Sequence, residues 1–265
     1  MGIVNLTPDS FYAGSRTGAD LALPRILAMF QEGADVVDLG ACSTRPGSPQ
    51  PPLEEEWNRL GPVLKSLARE MSGIISIDTY RAEIVRRTYD TIGPFLVNDI
   101  SAGQMDPQML ETVGRLGLPY VAMHMRGTPE TMQSLTDYED VTQAVIDYFR
   151  EFSRKAEDAG IREWILDPGF GFSKTLPQNY ELLEGLDRVV KAFPQREVLI
   201  GVSRKSMIYK KLGITPDEAM PATQVVQFAA LEKGATWLRV HDVTAAINTA
   251  RLYSTIYMSS PGAAK

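Results

Sequence analysis

Eight short apolar runs alternate with amphipathic stretches from one end of this 265-residue chain to the other, and that alternation limits the fold more than any other feature. The runs are residues 2–4, 36–39, 74–77, 95–97, 120–123, 164–166, 198–200 and 237–240. Helical patterns lie between and after them, at 21–32, 53–71, 81–89, 107–116, 138–159, 177–192, 217–233 and 243–257. A short apolar run bounded by turn residues reads as a buried strand. Strands that alternate with helices imply right-handed βαβ units and a parallel sheet. Eight such units in about 250 residues is the count of a (β/α)8 TIM barrel. The expectation is therefore an α/β single domain, residues 1–258 forming the barrel and 259–265 a disordered tail. An open doubly wound sheet shares the alternation and differs only in lacking closure. The first run starts at Gly2, which fits a trimmed start or the absence of preceding residues.

With 44% hydrophobic residues the chain can build a sizeable core. The formal charge of −6 and the absence of a basic run argue against nucleic acid, without excluding a small anion held by a local field. A single cysteine, Cys42, excludes an internal disulfide and fits a reducing compartment. No apolar run approaches membrane-spanning length and no signal peptide is visible, so the expected location is the cytoplasm, with no membrane partner.

The unusual residues follow the strands. Run one ends in Asn5-Leu6-Thr7-Pro8-Asp9-Ser10-Phe11; run two carries Asp38 and leads to Ser43-Thr44-Arg45-Pro46-Gly47. The next ends are Asp78-Thr79, Asn98-Asp99, Met123-His124-Met125 and Asp167, with Pro168-Gly169-Phe170-Gly171-Phe172 behind it. Run seven leads to Ser203-Arg204-Lys205-Ser206, and run eight carries Arg239 and ends in His241-Asp242. In a barrel all of these meet at the catalytic face. Asp78, Asn98 and Asp167 suit a flat heterocycle rich in N–H donors, since a carboxylate accepts two parallel N–H bonds. Arg45, Lys205, Arg239 and His241 suit phosphate, and Asn5 could share that phosphate with a magnesium ion, which keeps oxygen ligands.

Each residue has a structural alternative. Asp78 and Asp99 could cap helices, Arg239 could be a buried ion-pair partner, and the two histidines, His124 and His241, could be core. Cys42, Met123, Met125, Phe170 and Phe172 could be packing. It is their recurrence at the strand ends together that favours a site.

These blocks closely resemble the dihydropteroate synthase family, a group of pterin-binding barrels. The match is carried in order by MGIVNLTPDSF at the start, STRPG from Ser43, SIDT from Ser76, VNDISAG from Val97, DPGFGF from Asp167, SRKS from Ser203 and RVHDV from Arg239. The resemblance implies a cytoplasmic transferase of folate biosynthesis, a sulfonamide target. It would condense 6-hydroxymethyl-7,8-dihydropterin pyrophosphate with p-aminobenzoate to 7,8-dihydropteroate and pyrophosphate, with magnesium required. Carried over by position, Asp78, Asn98, Met123, Asp167 and Lys205 hold the pterin. Asn5, Thr44, Arg239 and His241 hold the pyrophosphate, Asn5 also serving the metal. Phe11, Thr44, Arg45, Pro46, Phe172, Lys205 and Ser206 frame p-aminobenzoate. The catalytic set is Asn5, Lys205, Arg239 and His241, while Arg204 supports the site. The last two helices carry apolar faces, including Val225, Phe228, Leu231, Leu252, Tyr253 and Ile256, which either cover the barrel or, as the resemblance suggests, lie at a homodimer interface.

The chain departs from the family pattern at Tyr12-Ala13-Gly14-Ser15, where Ser-Asp-Gly-Gly is common, and at Ala41-Cys42, where Gly-Glu is common. Three other readings compete. A pterin-dependent methyltransferase would need no pyrophosphate clamp, and STRPG and SRKS speak against it. A non-catalytic pterin-binding homologue should lack the cations or Asn5. A Schiff-base aldolase would need a lowered pKa at Lys205, for which the sequence holds no cue.

Overall fold

The computed structural model describes residues 1–6, 18–42, 50–70 and 73–257. Phe11, Thr44, Arg45, Pro46, the 12–15 departure and the 259–265 tail lie outside them. In chain order the elements are β1 (Gly2–Asn5), α1 (Gly18–Gln31), β2 (Val36–Gly40), α2 (Leu53–Glu70), β3 (Ile74–Asp78), α3 (Ala82–Ile92), β4 (Leu96–Asp99) and α4 (Met109–Leu116). There follow β5 (Tyr120–Met123), α5 (Val141–Asp158), β6 (Trp164–Asp167), α6 (Leu176–Glu184), α7 (Leu186–Ala192), β7 (Leu199–Ile200), α8 (Ser206–Leu212), α9 (Met220–Glu232), β8 (Trp237–Leu238) and α10 (Val243–Tyr257).

Strands β1 to β6 pair in parallel in sequence order, and β7 pairs with β8. Two parallel bridges join these sheets into a ring, Leu166 with Val198 and Gly2 with Val240. Ile3 N–H donates to Val240 O, and Val240 N–H to Met1 O, both at 2.9 Å. The sheet is therefore closed, and the open alternative is excluded.

Closure gives the alternation along each strand two different destinations. Val4, Val37, Leu39, Ile75, Ile77, Val97, Tyr120 and Leu166 join the large cluster under the helices. Phe149 and Phe152 of α5 pack on Trp164 there, with ring centroids 6.1 and 5.0 Å away. Losing a fully buried ring such as Phe149 costs about 3–5 kcal/mol. The other parity faces the barrel interior. Val36, Leu96, Val121, Ile165 and Leu199, with Met1 and Trp237, form a separate apolar plug. One step toward the C-terminal ends, the same parity turns polar at Asp38, Ser76, Asn98, Asp167 and Arg239. The plug thus serves as the floor of a polar mouth.

Four stretches differ from expectation. The helix expected over 177–192 is two that meet at Gly185, where a Cβ would lie 2.5 Å from Thr142 Oγ1. The SRKS stretch, read as loop, leads directly into α8, too short to show periodicity. Strands β7 and β8 are two residues long, Val198 and Val240 contributing only single bridges.

Candidate active site

Register sets the mouth before any side chain is considered. Asn5 pairs with Gly40, Gly40 with Asp78, and Asp78 with Asn98, so four strand ends stand abreast. Met123 pairs with Asp167 in the same way. A Cβ on Gly40 would sit 3.5 Å from Asp78 Cβ and 3.7 Å from Asn5 Oδ1, so a larger side chain would fill the gap between them. Gly201 does the same opposite: its Cβ would lie 3.8 Å from Asp167 Oδ2 and 3.9 Å from Lys205 Nζ.

One half of the mouth is an ion network. Arg239 Nε donates to Asp38 Oδ2 at 2.7 Å, and its Nη2 lies 2.6 Å from that oxygen and 2.9 Å from Asp78 Oδ2. Asn98 Nδ2 donates to the same Asp38 oxygen at 3.0 Å. Asp38 Oδ1 is buried with no partner among the described residues. Burial works against the Arg239 charge, yet Asp38 and Asp78 hold the guanidinium above its ordinary range. Burial pushes Asp78 up to about 7, opposed by Arg239 and reinforced by Asp38, Asp99 and Glu56. Arg239 is thus both things the sequence allowed, a cation at the mouth and a buried ion-pair partner.

The other half is built on the turn after β6. Asp167 Oδ1 accepts Gly169 N–H at 2.8 Å, which leaves Oδ2 without a protein partner among the described residues. Gly169 has φ +71, and a Cβ there would lie 2.0 Å from His124 O, so only glycine fits. Burial raises the Asp167 pKa, opposed first by Lys205. Lys205 Nζ donates to Phe170 O at 2.5 Å and stands 4.6 Å from the centre of the Phe172 ring. Burial brings this ammonium down to about 8, with Asp167 opposing, a cue absent from the sequence. Met123 packs with Ile100, Met125, Met132 and Phe172 beside it. Ser206 is the first residue of α8.

His241 departs from expectation. The sequence pattern offers it as a positive charge, but burial, followed by Arg239, brings it down to about 4, so it is neutral at pH 7. Its Nδ1 lies 3.1 Å from Ser203 Oγ. Arg204, expected to support the site, grips Asp242 with two bonds of 2.8 and 2.7 Å.

Other residues follow the structural alternative. Asp99 lies on the outward parity and is spent on its own turn, accepting from Ser101 N–H, Ser101 Oγ, Gly103 N–H and Tyr120 Oη. His124 is buried and neutral, held well below its ordinary range by burial and Lys174. Cys42 is buried, and burial with Glu56 nearby pushes its thiol well up, which makes it inert packing. The ends of the second loop are tied down by Arg59, which donates to Ala41 O at 2.8 Å, and Arg81, which donates to Pro51 O at 2.5 Å.

The sequence alone assigns no individual role to Asp38, Gly40, Gly201, Ser203 or Lys174, although Asp38 and Ser203 stand among the strand-end residues. The strand alternation bears on the first three: Asp38 and Gly40 share the face of Val36, and Gly201 that of Leu199, both part of the inner plug. Lys174 has no such signal: its Nζ is buried between Gly169 O at 2.9 Å, Phe172 O at 3.0 Å and His124 Nδ1 at 2.9 Å. It staples the Gly169–Phe172 turn from behind.

The closed barrel sets carboxylates and an amide beside fixed cations at its mouth, and the profile of the family described as "Pterin binding enzyme" matches residues 1–241. Among curated proteins, the dihydropteroate synthase of Escherichia coli (strain K12) is 38% identical over 95% of this chain and 89% of its own length. That of Haemophilus influenzae is 39% identical over 92% and 89%. Among solved structures, Yersinia pestis dihydropteroate synthase with a sulfonamide drug complex superposes with a TM-score of 0.90 at 34% identity, covering 97% of this chain and 94% of that one. Xanthomonas albilineans dihydropteroate synthase with 4-aminobenzoic acid gives 0.90 at 35%, covering 98% and 93%. The chain belongs to the pterin-binding enzyme family and, within it, to the dihydropteroate synthases.

Proposed function

We propose that this chain condenses 6-hydroxymethyl-7,8-dihydropterin pyrophosphate with p-aminobenzoate, releasing 7,8-dihydropteroate and pyrophosphate. The observation that carries the reading is the open gap at Gly201, with Asp167 Oδ2 and Lys205 Nζ facing it within one barrel mouth that also holds Arg239. Asp167 and Asn98 would accept and donate along the pterin edge, with Met123 as an apolar wall and Asp78 as a further acceptor. The ring of Phe172 and the Lys205 ammonium would frame the arylamine together with Ser206. Phe11, Thr44, Arg45 and Pro46 would complete that side from the first two loops. Arg239 and His241 would receive the leaving pyrophosphate, placed by Asp38 and Ser203. No nucleophile is needed: the electron-rich pterin stabilises the cation as the methylene–oxygen bond breaks, and fixed donors stabilise the departing charge.

Magnesium fits this donor set. Asn5 offers a neutral side-chain oxygen beside Asp78, with no hydrogen bond to another described residue. Among the described residues no cluster of three His, Cys, Asp or Glu could hold a metal alone. That suits an ion that keeps waters and takes substrate phosphates as ligands. When bound it would neutralise charge on the leaving pyrophosphate.

The exposed apolar residues Val225, Leu252, Ile256 and Tyr257 on α9 and α10 support a homodimer through that face. The single unpaired cysteine suits the cytoplasm, and no helix among the described residues is long and apolar enough to cross a membrane. The test is incubation with both substrates and magnesium, following pyrophosphate release and pteroate formation together. Pyrophosphate without pteroate would point to hydrolysis, and neither product would remove the reading.

A further inference from the structure

The contacts of His241 determine which of its nitrogens carries the proton. Ser203 is buried, and its Oγ lies 3.2 Å from the His241 backbone nitrogen and 3.1 Å from Nδ1. A backbone N–H can only donate, so the Ser203 oxygen accepts it. A second lone pair could also take an Nδ1–H, but that would leave the buried hydroxyl proton with no acceptor among the described residues, whereas giving that proton to Nδ1 satisfies every group. A neutral imidazole that accepts at Nδ1 must carry its proton on Nε2. Nε2 has no partner among the described residues.

We infer that Ser203 is a positioning residue that holds His241 as the Nε2–H tautomer, so that a diphosphate at the mouth meets an N–H donor. The opposite tautomer would set the Nε2 lone pair against phosphate oxygens that bring no proton of their own, a contact with no hydrogen in it. The serine thus acts on the leaving group through the imidazole without touching the substrate. This rests on the assignment of His241 to the diphosphate side of the proposed reaction.

The tautomer is measurable without substrate. The chain has two histidines, so a long-range proton–nitrogen correlation spectrum resolves both, and the signal lost in His241→Gln assigns the pair. The parent should show the proton on Nε2 of His241. Ser203→Ala, compared at matched melting temperature, should give a mixture of tautomers. It should also raise KM for the pterin pyrophosphate roughly three- to tenfold, the range for one hydrogen bond, while affinity for the unphosphorylated pterin stays unchanged. Ser203→Thr, which keeps the hydroxyl, should restore both. In a His241→Gln background the serine substitution should have no further effect. If S203A melts early, Ser203→Cys supplies the weakened donor at similar volume. A parent proton on Nδ1, an S203A spectrum and KM like the parent's, or an undiminished S203A effect in the His241→Gln background would each overturn the inference. If the protein fails to make pteroate but shows the Nε2–H tautomer and its loss in S203A, the proposed reaction falls while the tautomer assignment stands.

Discussion

Arg239, directly after β8, and Asp38 on β2 are 201 residues apart in the chain and 2.7 Å apart in space, Nε to Oδ2. The same guanidinium also holds Asp78. Arg239 therefore cannot be removed as a separable phosphate clamp. Arg239→Ala leaves two buried carboxylates without their cation, and breaking a buried pair by removing one partner costs about 3–5 kcal/mol. The expected outcome is a lower melting temperature, turnover down about 10²–10³-fold, and weaker binding of even the unphosphorylated pterin. Calorimetry with that pterin is decisive: full affinity would mean that Asp78 keeps its geometry without Arg239.

Asp167→Asn tests the pterin edge. Oδ1 is committed to Gly169 N–H at 2.8 Å, so the amide oxygen must take that place and the NH2 must take the open one. Flipping the amide would set NH2 against the Gly169 N–H. The ligand's donors then meet a donor with no escape. Bonds to charged groups contribute about 1.5–3 kcal/mol, so binding should weaken by at least about tenfold at nearly parental melting temperature. An unchanged dissociation constant would reduce Asp167 to a turn residue.

The pH profile of kcat/KM should be bell-shaped. Asp78, raised to about 7, accepts hydrogen bonds best when ionised, so activity should climb with pH through that value. Lys205, lowered to about 8, loses its charge above it, so activity should fall there. His241, already neutral, should add no limb near its ordinary 6.5. In Lys205→Arg the alkaline limb of the residual activity should vanish. Its persistence would assign that limb to another group.

Lys174→Met should loosen the turn that carries Phe170 O and Phe172. It leaves Gly169 O, Phe172 O and His124 Nδ1 without their donor, at about 1–3 kcal/mol for an unpaired buried group. The melting temperature should fall. The His124 pKa should rise, since Lys174 is the largest charge holding it down after burial itself. Titration of the His124 ring signals checks the second point, and a His124 that titrates as in the parent would separate the two residues.

Chelating divalent ions should abolish turnover, and magnesium should restore it, with affinity for the unphosphorylated pterin untouched. Full activity in excess chelator would remove Asn5 from any metal role.

How much of this was legible differs residue by residue. Asn5, Asp78, Asn98 and Asp167 were found because each closes a short apolar run, and a strand end is a local property. Asp99 and His124 close runs too, but sit one residue past the inward position. The period of two puts them on the opposite face from Asn98 and Met123, and closure makes that face the outside, where burial uses them for a turn and for packing. Lys174 gave no sign, because its value lies in three acceptors that only the folded turn brings to one point.

By itself the sequence determined the alternation of eight strands with helices, which residues share a face of each strand, and the family. These follow from backbone periodicity and turn chemistry, which act over a few residues. Only the tertiary structure decided that Arg239 lies between Asp38 and Asp78, that His241 is neutral on Ser203, and that Lys205 is lowered to about 8. Those outcomes depend on burial and on charges brought together when β8 closes against β1. Desolvation and Coulomb energy are functions of distance in space, which the order of residues does not contain.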